Sequence, residues 1–348
     1  MAETTIKDIA RMCGCSVSTV SRALNNHPDI NPETRKKIMQ IVKETGFVPN
    51  NSAIQLKKSD TKAVALLVKG ITNQFFNPMI RTMEDYTQQM GYSTILRHVE
   101  AEDDEVQVAL QLIKEKKLKG IVFLGGNFVH NEEMLHQLNV PFVFSTIGAP
   151  RGETWYANVS VDDRKEAEKA VNYLIDQGHS KIAIIGDALT TPSVSQLRYE
   201  GYRHALQTHH IDFRTDLVEE AESGEAERFT MENGYKMTWK LLHSGADFTG
   251  LFCTADVFAI GASRAVIDSG LRIPEDISVV GFDGSSDCQR VVPVLTSVYQ
   301  NNELRAKMAM ELLLKMLQDS SFSQSVCVPV KLVWGESVRN LCESGGEK

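Results

Sequence analysis

The chain has 348 residues, 42% of them hydrophobic and 24% charged, which is the balance of ordinary globular domains and enough length for two or three of them. Its longest apolar runs, 63–68 and 121–126, fall far short of the ~20 residues that a bilayer span requires. The six cysteines are too sparse for a disulfide framework. The net charge of −8 weakens a nucleic-acid reading only as an average, because residues 1–60 hold nine Lys/Arg against six Asp/Glu and leave −11 on the remaining 288. The opening MAETTIKDIARMC has no basic stretch followed by an apolar one, so no export signal or membrane partner is expected, and a reduced cytoplasm fits.

Three short helices are predicted in the first 45 residues. Thr5 caps a helix that carries Ile6, Ile9, Ala10 and Cys13 on one face. Gly14 interrupts it, and Ser16 caps a second helix over Val17 to Leu24. Asn31-Pro32-Glu33 opens the third: a capping residue, proline at the first helical position, then Ile38, Ile41 and Val42 at helical spacing until Gly46. A fourth short pattern runs from Asn51 to Lys58, and Ser59-Asp60-Thr61 marks a boundary. From residue 62, β-type runs alternate with helices. Strands are predicted at 63–68, 92–96, 120–125, 141–145, 181–186, 216–221, 250–254, 277–282 and 326–334. Helices are predicted near 77–90, 103–116, 163–177, 195–208, 227–243, 256–269 and 301–318. Such alternation implies parallel sheets with right-handed crossovers, here as two doubly wound series.

The helix, glycine turn and short second helix form a helix-turn-helix, a unit that sets its second helix into the major groove. Its expected core is Ile9, Ala10, Val17, Val20 and Leu24. Ser16, Ser18, Thr19, Ser21, Arg22 and Asn25 are left on exposed surfaces. Hydroxyls and an amide can meet phosphates and base edges, and arginine can grip guanine with two hydrogen bonds. On pattern alone, a solvated helical face accounts for these residues equally well.

The segment TIKDIARMCGCSVSTVSRALNNHPDINPETRKKI, followed by GFVPNNSAIQLKK, resembles the head of the LacI/GalR family of bacterial transcription regulators. The resemblance continues through ITNQFFNPMI, VDDRKEAEKAVNYLIDQGHSKIAIIG, LRYEGYRHAL and LRIPEDISVVGFD, and covers nearly the whole chain. It implies an all-α helix-turn-helix head joined to an α/β body of two doubly wound, periplasmic-binding-protein-like subdomains. The expected bounds are a head at 1–49, a hinge helix and linker at 50–61, a body at 62–340 and a tail at 341–348. Within the body, one subdomain would take 62–160 plus 296–323 and the other 161–295 plus 324–340. The implied protein is a cytoplasmic, nucleoid-associated repressor with no enzymatic activity. It binds a pseudo-palindromic operator DNA as a homodimer and responds to a small polar effector of the carbohydrate kind. By resemblance, Val17, Ser18 and Arg22 are the main base readers, Thr5 and Asn50 also face DNA, and Leu56 of the hinge wedges into the minor groove. Ile54 and Gln55 depart from the commoner Arg-Ser of that hinge. Val17 has no hydrogen-bonding group, so it either touches a thymine methyl or packs.

In doubly wound sheets, ligands bind at the carboxyl ends of strands. Phe75, Phe76, Thr146, Arg198 and Asp283 fall at such ends, and two aromatic faces with a guanidinium and a carboxylate suit a sugar or nucleobase. The resemblance assigns the effector to Arg198 and Asp283 with Phe75 and Phe76 lining the pocket, and adds Asp162 and Asp256. Thr146 stands where many members have aspartate, Ala255 where several carry asparagine, and Gly335 replaces a frequent arginine. The remaining constellations point to no metal or cofactor: Cys13-Gly14-Cys15 lacks a completing Cys/His pair, and Gly125-Gly126 reads as a turn rather than a phosphate loop. An enzyme or a transport-type receptor with the same body is the competing class. The first needs a nucleophile or acid/base set and the second an export signal, and neither is legible here.

Overall fold

A computed structural model describes residues 4–24, 29–47, 62–70, 73–147, 155–221 and 228–342. The chain divides into two compact units, Met1–Thr61 and Lys62–Lys348.

The first unit contains helices α1 (Ile6–Cys13), α2 (Val17–Leu24) and α3 (Pro32–Thr45). Local chemistry fixes each boundary. Thr5 and Asp8 form a reciprocal capping box at the start of α1, which satisfies two donors that the first turn leaves open. Gly14, at φ +67°, closes α1 in the left-handed conformation that glycine adopts at least cost. Ser16 Oγ accepts the Thr19 N–H at 3.2 Å and starts α2, while Asn31 caps α3 ahead of Pro32. Ile9, Ala10, Cys13, Val20, Ala23 and Ile38 form the buried centre, and Lys37 Nζ donates to the Cys13 carbonyl at 3.2 Å to tie α3 to the end of α1. Val17 departs from the expected core: it is 41% exposed, since the face of α2 that meets α1 and α3 is the one carrying Val20 and Ala23.

The second unit holds two six-stranded sheets. The strands are β1 (Ala63–Lys69), β2 (Ser93–Val99), β3 (Leu118–Leu124), β4 (Phe142–Ser145), β5 (Ala157–Ser160), β6 (Ile182–Gly186), β7 (Val218–Glu220), β8 (Gly250–Cys253), β9 (Ser278–Asp283), β10 (Thr296–Tyr299), β11 (Ser325–Cys327) and β12 (Lys331–Val333). One sheet has the order β11-β5-β4-β3-β1-β2 and the other β12-β10-β9-β8-β6-β7. All pairings are parallel except β10 with β12. The central strands are apolar throughout (AVALLV, IAIIG), as burial on both faces demands. Helices α4 (Asn77–Gln89), α5 (Glu105–Glu115), α6 (Glu132–His136), α7 (Asp163–Asp176), α8 (Val194–Thr208), α9 (Met231–His243), α10 (Asp256–Asp268) and α11 (Asn302–Gln318) accompany the strands. A packed apolar layer lies on each face of each sheet.

The chain crosses between the sheets three times, and two crossings differ from expectation. β10, at 296–299, belongs to the second sheet, where it pairs in parallel with β9, so the first subdomain regains the chain only at α11. The run 326–334, read as one strand, is two strands in different sheets: β11 pairs with β5, and β12 with β10. Pro329 stands between them, and without an N–H it cannot extend a ladder, so the chain leaves one sheet there and joins the other. Residues 341–342, expected as tail, still pack on the body, with the Leu341 N–H donated to the Gln177 carbonyl at 2.7 Å.

Candidate functional site

In the first unit, α2 presents Val17, Ser18 and Arg22 outward, with Ser18 and Arg22 one turn apart. The hydroxyls of Ser16 and Ser18 lie 2.7 Å apart and those of Ser16 and Thr19 2.8 Å, a hydroxyl cluster at the amino end of the helix. Ser21 is half-buried. Thr5 is exposed, but its hydroxyl already donates to Asp8 Oδ2 at 2.6 Å and accepts the Asp8 N–H at 3.4 Å. Asn25, Asn50, Leu56 and the whole hinge at 50–61 lie outside the described residues.

In the second unit, the carboxyl ends of β1 and β3 from one sheet and of β6 and β9 from the other surround a cavity of about 360 Å³. Phe75, Phe76, Thr146, Arg198 and Asp283 all line it. Asn73 and Asn302 hold the loop after β1, the first through its side-chain oxygen to the Phe75 N–H at 3.0 Å, the second by donating to the Phe75 carbonyl at 3.1 Å. The two rings meet edge to face at 5.3 Å. Thr146 sits at φ +82°, a conformation costly for a β-branched residue, with its Oγ1 accepting the Gly125 N–H at 2.9 Å. The Gly125-Gly126 turn is this close approach: a Cβ on Gly125 would stand 2.7 Å from the Lys69 carbonyl oxygen.

Arg198 rises from the first turns of α8, and its guanidinium is spent from several sides. Nε and Nη2 hold Asp163 Oδ1 at 2.8 and 2.7 Å, Nη1 donates to the Thr254 carbonyl at 2.5 Å, and the plane lies 3.8 Å from the centre of the Phe282 ring. Asp283 Oδ1 is 3.5 Å from Nη1 and accepts Gln300 Nε2 at 2.7 Å. Asp283 is itself at φ +136°, a region that side-chain-bearing residues rarely occupy, at the mouth of β9. Burial, only partly offset by Arg198, pushes its carboxyl up to about 7. Burial likewise raises Asp163 against the opposing pull of Arg198.

Two expected members are placed elsewhere. Asp162 is the exposed N-cap of α7, accepting the Lys165 N–H at 3.1 Å, and does not line the cavity. A capping side chain folds back over its own first turn, so the next residue, Asp163, points inward to Arg198. Asp256 is buried beside a neighbouring cavity of about 580 Å³ that shares Asn73, Phe75 and Asp283 with the first. Its Oδ1 takes the Ser297 hydroxyl of β10 at 2.5 Å and its Oδ2 the Ser285 N–H at 2.6 Å, so it ties β10 to the loop after β9.

The structure also adds residues that the strand-end argument passed over. Lys69 Nζ lies 3.4 Å from buried Glu105, which accepts the Asn127 N–H at 2.6 Å. Arg228 and Asp187 pair at 3.5 Å, and Phe128 and Phe229 add two more rings. Gln300 and Arg305 follow β10, and Arg305 Nη2 donates to Gln300 Oε1. Arg305 had a legible signal: with Ala309, Leu312, Leu313 and Met316 it occupies the buried stripe of α11, so a charge appears where helical spacing calls for an apolar side chain.

Comparison with known proteins places this geometry. A model of bacterial regulatory proteins of the lacI family matches residues 5–50, and one of a periplasmic binding protein-like domain matches residues 171–338. The HTH-type transcriptional regulator MalR of Clostridium butyricum is 36% identical over 340 residues, spanning 97% of this chain and 99% of that protein. The chain belongs to the LacI family. It is accordingly a transcription regulator with a DNA-binding head and a ligand-binding body. Among solved structures, a complex of the transcriptional regulator CelR with cellobiose superposes with a TM-score of 0.70 at 25% identity, over 96% of this chain and 100% of that one. The lac repressor dimer bound to operator and an anti-inducer shares the fold, with a TM-score of 0.73 at 24% identity, over 97% of this chain and 100% of that one. Among the described residues, no helix of this LacI-family chain is long and apolar enough to cross a membrane.

Proposed function

We propose that this LacI-family chain represses transcription by binding a pseudo-palindromic operator as a homodimer, and that a small carbohydrate-class metabolite in the 360 Å³ cavity sets its affinity for DNA. The observation that carries the reading is that Arg198 and Asp283, from one sheet, face Phe75, Phe76 and Thr146, from the other, across a single space. A ligand gripped by both sides changes the relative free energy of their arrangements. Regulation needs that differential affinity. The CelR neighbour holding cellobiose supports the sugar class, as aromatic faces and charged donors suit hydroxyl-rich rings.

On the DNA side, Arg22 and Ser18 would read base edges, with Val17 against a thymine methyl. Ser16, Thr19 and Ser21 would meet the backbone. Asn50 and Leu56 keep the DNA roles that the resemblance assigns them, Asn25 the one that the helix pattern offers it, and Thr5 serves chiefly as a cap. We read the protein as a binding protein of the cytoplasm and nucleoid rather than an enzyme, since most charged groups of the cavity are held in ion pairs and, among the described residues, form no nucleophile–base pair. The test is a gel shift on fragments upstream of the gene itself, with and without a panel of sugars. Specific binding that a sugar relieves, and that the Phe75→Ala variant no longer relieves, is the expected result. Turnover of the sugar, or a response indifferent to every cavity substitution, would overturn it.

A further inference from the structure

The cations of the effector cavity are unequally matched. Lys69 lies 3.4 Å from Glu105, Arg198 2.7 Å from Asp163 and Arg228 3.5 Å from Asp187. Arg305 lines the same space at 1% exposure and has no carboxylate within ion-pair distance among the described residues. Its Nη2 donates to the neutral Gln300 amide, its Nε is buried without a hydrogen-bond partner, and its guanidinium lies 5.8 Å from the centre of the Phe75 ring. Asp163 and Asp283 act on it through space from beyond ion-pair distance, and Gln300 bridges it to Asp283.

A buried guanidinium that makes no direct ion pair and leaves its Nε unsatisfied is costly, and the cost falls when an anion docks against it. Arginine's planar fork matches a carboxylate or a phosphate with two parallel hydrogen bonds, whereas a neutral hydroxyl offers it a single acceptor atom and no charge. Reading the cavity as the effector site, we propose that its ligand carries an anionic group, a carboxylate or a phosphate, and that Arg305 is the residue that recognises it. The rest of the ligand lies against the rings of Phe75, Phe76, Phe128 and Phe229. A sugar phosphate and a sugar acid present the same chemistry to Arg305. They differ in charge and reach.

Burial pulls the Arg305 guanidinium down to about 10 against the opposing pull of Asp163 and Asp283, which leaves it charged in the neutral range.

The experiment uses the full chain. Titration calorimetry with glucose, glucose 6-phosphate, glucuronate, cellobiose and cellobionate is run beside melting curves in sodium phosphate and in sodium chloride of equal ionic strength. Wild type is compared with Arg305→Leu and Arg305→Lys. Phosphate is expected to raise the melting temperature of wild type above that in chloride, and to do so less for Arg305→Lys and not at all for Arg305→Leu. Where a panel member binds, the anionic form is expected to bind at least tenfold more tightly than its neutral parent in wild type, with the advantage gone in Arg305→Leu. Glucose 6-phosphate against glucuronate then separates the two anions. The proposal falls if phosphate stabilises all three proteins equally or not at all, or if a neutral sugar binds wild type and Arg305→Leu alike. In the last case the effector reading survives and only the anion is lost. If Phe75→Ala leaves every ligand response intact, the effector reading itself falls with it.

Discussion

At Asp283 the backbone and the side chain pull in the same direction. The residue holds φ +136°, and burial raises its carboxyl from 3.8 to about 7. An acid whose pKa is raised on folding is ionised in the unfolded chain before it is ionised in the native one. Between about pH 4 and 7 the unfolded state therefore binds fewer protons at this site, and stability falls as pH rises through that window. Asp283→Asn removes this dependence, so urea unfolding at pH 4.5 and pH 8 is expected to show the variant gaining on wild type at the higher pH. Equal pH slopes for the two proteins would mean that Asp283 titrates normally. On the DNA side, Arg22 is exposed on α2 with no carboxylate partner among the described residues. Arg22→Ala should cost about 1–3 kcal/mol of operator affinity and much less of affinity for random DNA, as loss of a two-point guanine contact does. Equal weakening on both DNAs, measured by fluorescence anisotropy, would make Arg22 a phosphate contact instead.

The elements carry the function through their ends. The cavity side chains stand at the carboxyl ends of strands, in the loops that follow them or in the first turns of the next helix, because the carboxyl ends of parallel strands share one edge of the sheet. The hinge segment 50–58, in which Leu56 stands before Lys57-Lys58 with no obvious core to join, is the element that would couple the units. Leu56→Ala should reduce both DNA bending and specific affinity while leaving ligand binding intact, since a wedge between base steps exchanges unstacking energy for contact. Fluorescence energy transfer across an operator duplex reads the bend. An unchanged bend with unchanged affinity would return Leu56 to linker packing.

For the whole molecule, the two sheets of the body are joined by three chain crossings, near residues 161, 300 and 329, so any change in their arrangement would involve all three. Coupling between ligand and operator is then a differential affinity of about 1–3 kcal/mol and must be reciprocal. Asp283→Asn is expected to abolish the ligand's effect on operator binding while keeping basal operator affinity within roughly threefold, under 1 kcal/mol. Gel shifts across a ligand titration test this, and a full response in the variant would move the pocket elsewhere. Arg198 is a poorer probe, since its removal leaves Asp163 buried and unpaired. Assembly belongs to this scale too. A single short reading helix makes few contacts, and two-fold operators are read by two-fold proteins, so light scattering is expected to give a dimer at micromolar concentration. A monomer or a tetramer would contradict it.

The sequence by itself determined what is local and periodic. Thr5, Gly14, Ser16, Asn31-Pro32 and Gly46 set the bounds of the head helices through caps and turn chemistry, and the alternation of apolar runs with helical stretches specified two parallel sheets. The head motif marked the family, and strand ends pointed to Phe75, Phe76, Thr146, Arg198 and Asp283. What only the tertiary structure decided is which neighbours share space. Asp162 and Asp163 are indistinguishable as letters, and the inward direction of the second comes from where the first turn of α7 meets Arg198. The run 326–334 reads as one strand because periodicity says nothing about which sheet edge is open, and the assignment to two sheets follows from pairing partners 160 or more residues away in one case and about 35 in the other. Arg305 shows the same division: its place on the buried stripe is written in helical spacing, but its lack of a partnering carboxylate among the described residues exists only once α11 is packed against the cavity.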